Sequence, residues 1–126
     1  MMLAVASLAA TLLAPCPSQP NCVSTLATDS IHAIEPLRYA ASAAEAYARL
    51  LAILHSMPRT RVVSSDGATI HAEFRSAVFH FVDDGVFVID DTTRSIHFRS
   101  ASRVGRSDFG VNRKRMESIR TAFQLR

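Results

Sequence analysis

A chain of 126 residues has the length of one domain, and 48% apolar with 20% charged residues is an ordinary globular balance able to bury a core. The net charge of +3 hides an asymmetry: residues 1–93 hold five basic and nine acidic side chains, residues 94–126 nine basic and two acidic. A basic end can attract nucleic acid, anionic lipid or an acidic ligand, or it can face the chain's own acidic middle; no aromatic platform accompanies the arginines, as a single-strand binder needs, so nucleic acid is not an expected partner.

The chain opens with an uncharged apolar leader, MMLAVASLAATLLA, at residues 1–14. It is shorter than the roughly 20 residues of a membrane span but suits the core of a secretory signal. No Lys or Arg precedes it, and Leu13-Ala14-Pro15-Cys16 resembles a lipoprotein box except at Pro15. The expectation is an exported or membrane-associated protein, tethered through this leader; a cytoplasmic one is the alternative. Cys16 and Cys22 are the only cysteines. In an oxidising compartment they can close a small disulfide loop, and otherwise they stay free thiols. They are too few for a zinc or iron–sulfur site unless histidines help.

Residues 15–38 read as an irregular arm, broken by Pro15, Pro17, Pro20 and Pro36, with Ile31, Ile34 and Leu37 available to dock it. Residues 39–126 form the single domain. A helix is predicted over 43–56: Ser42 and Glu45 make a capping box, Ala43, Tyr47, Leu50, Leu51 and Leu54 share one face, and Pro58 ends it. From 60 to 103 the period becomes two. Strands are expected at 61–65, 68–75, 77–82, 86–89 and 95–103, with Asp66-Gly67 and Asp84-Gly85 as turn signals. Asn112 is read as the N-cap of a last helix, with Val111 and Met116 as a hydrophobic staple and Met116, Ile119 and Phe123 as its buried stripe. The predicted fold is α+β: an antiparallel sheet of about four strands with two helices packed on one face.

Three ordered segments carry a family resemblance: Cys16–Ser24 (CPSQPNCVS), Phe79–Asp84 (FHFVDD) and Arg99–Arg115 (RSASRVGRSDFGVNRKR). Together they resemble the bacterial and plastid family called domain of unknown function 1499. The resemblance runs from Cys16 to the C-terminus. It implies no defined activity, but the family's members are often exported or membrane-attached, which supports the expected cell-envelope placement.

The third segment holds the candidate site. A helix N-terminus offers free N–H groups and a positive dipole end, and Arg99, Arg103, Arg106, Arg113 and Arg115 could surround an anion there. Ser100, Ser102, Ser107 and Asn112 complete the candidate set. The structural alternative supplies the anion internally, through Asp83, Asp84 and Asp108, with Gly105 and Gly110 serving the turn. Asp83-Asp84 has the form of a carboxylate pair for acid–base work, but Asp-Gly turn chemistry explains Asp84 without catalysis. His71, Glu73 and His97 share a strand face at a spacing common to metal ligands and to solvated faces alike. Ser100 and Ser102 lack a base at diagnostic spacing, and there is no G-x-S-x-G elbow, G-x-G-x-x-G or phosphate loop. No metal and no cofactor is therefore expected. The leading expectation is a non-enzymatic module binding an anionic small molecule or a protein partner. An enzyme with its pocket between segment 99–115 and the polar sheet face, and a purely structural or interaction domain, are the alternatives.

Overall fold

The computed structural model describes residues 13–105 and 107–125. Its elements are β1 (Cys22–Ser24), β2 (Leu37–Arg38), α1 (Ala43–Ser56), β3 (Thr60–Ser65), β4 (Thr69–Arg75), β5 (Val82–Asp90), β6 (Ser95–Ser102) and α2 (Val111–Gln124). The strands form one antiparallel sheet in the order β1-β6-β5-β4-β3, with β2 also paired to β6. The α+β class and the two helices are as expected, but the expected sheet of about four strands is corrected to six. The added pair comes from the arm: Cys22–Ser24 runs beside Ala101–Arg99, and Leu37–Arg38 beside Ile96–Ser95. Strands of three and two residues are too short to show a period, and only the free edge of β6 makes them strands.

The core lies between the sheet and the two helices. Leu50, Ile53 and Leu54 of α1 and Met116, Ile119 and Phe123 of α2 meet Ile70, Phe74, Phe87, Ile96 and Phe98 of the sheet. Val23, Ile34 and Leu37 of the arm join the same cluster, whereas Ile31 is exposed. Ser42 caps α1 as read, its Oγ accepting the Glu45 N–H at 3.1 Å.

Two local readings change. The strand expected at 77–82 is not formed; Ser76–Phe81 is a loop, and β5 runs unbroken from Val82 through Asp84-Gly85. Gly85 serves packing rather than a turn, since a Cβ there would lie 2.8 Å from Phe74 Cε2 and 3.3 Å from Phe87 Cε1. Asp66-Gly67 is the turn expected, with Gly67 at φ +92° and Asp66 Oδ1 accepting the Ala68 and Thr69 N–H groups.

Of the apolar leader, residues 1–12 lie outside the described residues. Leu13 is buried against Val86 and Val88 on the face away from the helices. The expectation of a signal-led, exported or membrane-associated protein is corrected here: among the described residues no helix is long and apolar enough to cross a membrane. Cys16 and Cys22 are joined as a disulfide.

Candidate functional site

Strand alternation divides the segment Arg99–Arg115 between the two faces of the sheet. Ser100 and Ser102 point under α2, while Arg99 and Arg103 serve the opposite face. Arg103 bonds Asp84 through Nε and Nη2, at 2.7 and 2.9 Å, and Glu73 at 2.7 Å. These hydrogen bonds hold the Asp84 carboxyl below its ordinary range and the Arg103 guanidinium above its own, against the effect of burial. His71 Nε2 adds a 2.9 Å contact to Asp84. Arg99 donates to the Pro15 carbonyl at 3.5 Å, and its buried Nε has no hydrogen-bond partner among the described residues.

Under α2 the hub is Asn112, fully buried. Its Oδ1 accepts from Ser100 Oγ at 2.6 Å and Arg115 Nη1 at 3.0 Å; its Nδ2 donates to Asp108 Oδ2 at 2.8 Å, Ser102 Oγ at 3.1 Å and the Asn21 carbonyl at 3.3 Å. Asn112 is thus not the N-cap. The cap lies two residues earlier, at Gly110 with φ +79°, and Gly110 offers no side-chain cap. The Asp108 carboxylate does that work instead, accepting the Gly110 N–H at 2.8 Å and the Asn112 N–H at 2.9 Å. Val111 is 44% exposed and turns away from the fully buried Met116, so the staple is not made. Arg115 pairs with Asp83 at 2.9 Å, both side chains nearly buried, and its guanidinium lies 4.5 Å above the Phe74 ring. Arg113 donates to the Ile31 carbonyl at 3.0 Å. Arg106 lies outside the described residues.

The second and third sequence segments converge on one cleft of about 380 Å³. One wall is the Ser76–Phe81 loop, closed by Ser76 N–H donating to the Phe81 carbonyl and Phe81 N–H to Ser76 Oγ, both at 2.9 Å. It presents Phe79, 72% exposed and stacked on Phe81 at 5.5 Å. The other wall is the β6–α2 corner, with Val104, Val111 and Phe109. Asp83, Ser102, Ser107, Asp108 and Arg115 also line the cleft, so three residues of the candidate anion set and two of the expected charge network stand together there. Phe109 is 88% exposed and held at φ +54°, and His80 in the facing loop is at φ +57°. A bulky residue in the left-handed region costs on the order of 1 kcal/mol or more and persists only where its surroundings impose it. Ser107 Oγ accepting the Phe109 N–H at 3.2 Å and the Asp108 clamp on Gly110 are those surroundings.

The aromatic walls are what the residue-type reading missed. The alternating F-x-F of 79–81 has the look of a buried strand, and nothing local shows that β5 begins only at Val82. Asn21 suits a turn by residue type, but its Nδ2 donates to the Gly105 carbonyl at 2.8 Å and fixes the corner to the arm. Of the metal-spacing residues, His71 is engaged by Asp84, and His97 lies on β6 against Thr25 Oγ1 at 3.0 Å. Among the described residues no three His, Cys, Asp or Glu side chains are grouped to hold a metal ion. Ser100 and Ser102 meet Asn112 and, among the described residues, no base.

A protein-family model described as "Protein of unknown function (DUF1499)" matches residues 12–123. The chain belongs to the DUF1499 family. Within this DUF1499 chain the matched span takes in the disulfide loop, the cleft and both helices up to Phe123. Neither a curated protein nor a solved structure matches it.

Proposed function

We propose that this DUF1499 protein is a non-catalytic binding module, and that the cleft between the Ser76–Phe81 loop and the β6–α2 corner takes a small amphipathic acid. The observation that carries the reading is Phe109, a phenylalanine 88% exposed and held in a strained backbone conformation over the cleft. A Ser-Asp-Phe-Gly sequence that clamps an aromatic ring into solvent gives the fold no core contact. It does supply an apolar contact to something that enters. A volume of about 380 Å³ lies within the roughly 300–1,000 Å³ range of small-molecule sites. The acidic end is argued from charge. Residues 99–115 carry six basic side chains against one acidic. Arg115 lines the cleft itself, and Arg113 on the same helix is bonded to a backbone carbonyl, which leaves its charge uncompensated by that contact.

The test is calorimetric titration with straight-chain carboxylic acids of increasing length and with the matching alcohols. Affinity should rise about fourfold per methylene while the chain fits. The acids should bind more tightly than the alcohols, by a margin that shrinks with added salt. Phe109→Ala and Phe79→Ala should each weaken binding about tenfold, in keeping with loss of a buried aromatic contact. Affinity that ignores chain length, or that survives both substitutions, overturns the proposal.

A further inference from the structure

His32 belongs to the turn that brings the arm back beside β1, and it is only 7% exposed. Its Nδ1 lies 2.7 Å from Asp29 Oδ2, and its Nε2 lies 2.9 Å from the Gln19 carbonyl oxygen. A carboxylate and a carbonyl can only accept hydrogen bonds. A ring bonded to both must donate from both nitrogens, and only the imidazolium does so. The two acceptors belong to different pieces of chain. Gln19 sits inside the loop closed by Cys16 and Cys22. Asp29 and His32 frame a turn that is itself tied to β1, with Ser24 N–H donating to the His32 carbonyl at 2.8 Å and Ala33 N–H to the Asp29 carbonyl at 2.9 Å.

We propose that His32 is a proton-operated clasp: as the imidazolium it locks the disulfide loop to the arm, and on losing its proton it releases Gln19. Neutral imidazole has one N–H, so one acceptor must lose its partner. Asp29 keeps the bond, because its charge favours a proton on Nδ1 and its Oδ2 also accepts the His32 backbone N–H at 3.1 Å. The bare Nε2 lone pair then faces the Gln19 carbonyl oxygen, and the exposed Gln19 turns to water. Two charged side chains act on the ring. Asp29 on its own turn favours the charged form, and Arg113 on α2, hydrogen-bonded to the adjacent Ile31 carbonyl, opposes it. The Gln19 bond outweighs burial, and with Asp29 it holds the His32 pKa above its ordinary 6.5. The clasp is therefore complete below about 6.5 and is lost as pH rises through the raised folded value. Because Cys16 and His32 border the same cavity of about 360 Å³, release exposes the disulfide from that side.

Two measurements test this. Imidazole ¹⁵N spectra of the wild-type protein should show both His32 nitrogens protonated at about pH 6.5, the ordinary midpoint. The second is the rate of disulfide reduction by a thiol in wild type and in His32→Gln, whose amide can donate to one acceptor but not to both. The variant should react about tenfold faster at about pH 5.5, the effect of losing one hydrogen bond to a charged group. The ratio should approach one near pH 9, where the wild-type clasp is open. A ratio that stays constant across this range overturns the proposal. So does a wild-type ring that titrates below 6.5, whatever the variant does.

Discussion

Asn112 joins five groups from four stretches of chain: Asn21, Ser100 and Ser102, Asp108, and Arg115. Because the residue is fully buried, Asn112→Ala strands several of these groups without water and should cost about 3 kcal/mol. Asn112→Asp keeps an acceptor for Ser100 and Arg115 but sets a carboxylate against Asp108, so it should destabilise at least as much. Urea unfolding of both variants checks this, and an Asn112→Ala protein as stable as wild type would refute the hub. Gly85→Ala offers a contrasting case of pure packing. The added methyl meets the Phe74 and Phe87 rings and should cost about 1–3 kcal/mol by overpacking. Both residues were visible in the sequence, and both were assigned a local role. Asn suits an N-cap and Asp-Gly suits a turn by general preference. Their real partners lie far along the chain, where local chemistry carries no information.

The strand β5 shows how an element distributes chemistry. Its consecutive aspartates face opposite sides of the sheet and each finds an arginine: Asp83 meets Arg115 of α2, and Asp84 meets Arg103 beyond β6. The inward pair is nearly buried, so removing one partner leaves an uncompensated charge. Arg115→Met should cost about 3–5 kcal/mol, and adding Asp83→Asn should recover much of that loss. A double-mutant cycle in urea reads the coupling, and strict additivity would count against it. The outward pair shows in acid. Arg103 holds the Asp84 carboxyl below its ordinary 3.8, so the stability it confers is present above that value and is lost as pH falls through the lowered one. In Arg103→Gln the urea midpoint should fall less steeply between about pH 4 and 2 than in wild type. The alternation that places the aspartates was legible in β4 and β6, where polar and apolar residues take turns. In β5 the Asp-Asp-Gly run hid it, because the glycine makes room for Phe74 rather than for a bend. The cleft escaped notice for the same reason, since placing Phe79 and Phe81 inside a strand removes the loop that displays them.

For the molecule as a whole, the helix–meander–helix order and the apolar stripes were readable from periodicity, because the core against which they pack imposes it. The six-stranded sheet was not, because β1 and β2 exist only through β6. The Cys16–Cys22 bond fixes the turn of the arm that leads into β1. Replacing both cysteines by serine should lower stability by about 2 kcal/mol, the amount expected for so short a loop. Thermal unfolding with and without reductant would show it, and a wild-type protein indifferent to reductant would refute it. The pairing of β1 with β6 also orders events in time. Residue 22 aligns with residue 101 and residue 37 with residue 96. A chain made from its N-terminus has Val23, Ile34 and Leu37 in hand before their partner strand exists. Those apolar side chains must wait, unsheltered, until β6 has been synthesised, and the sheet then takes its β1 edge from a segment made well before the strand it pairs with.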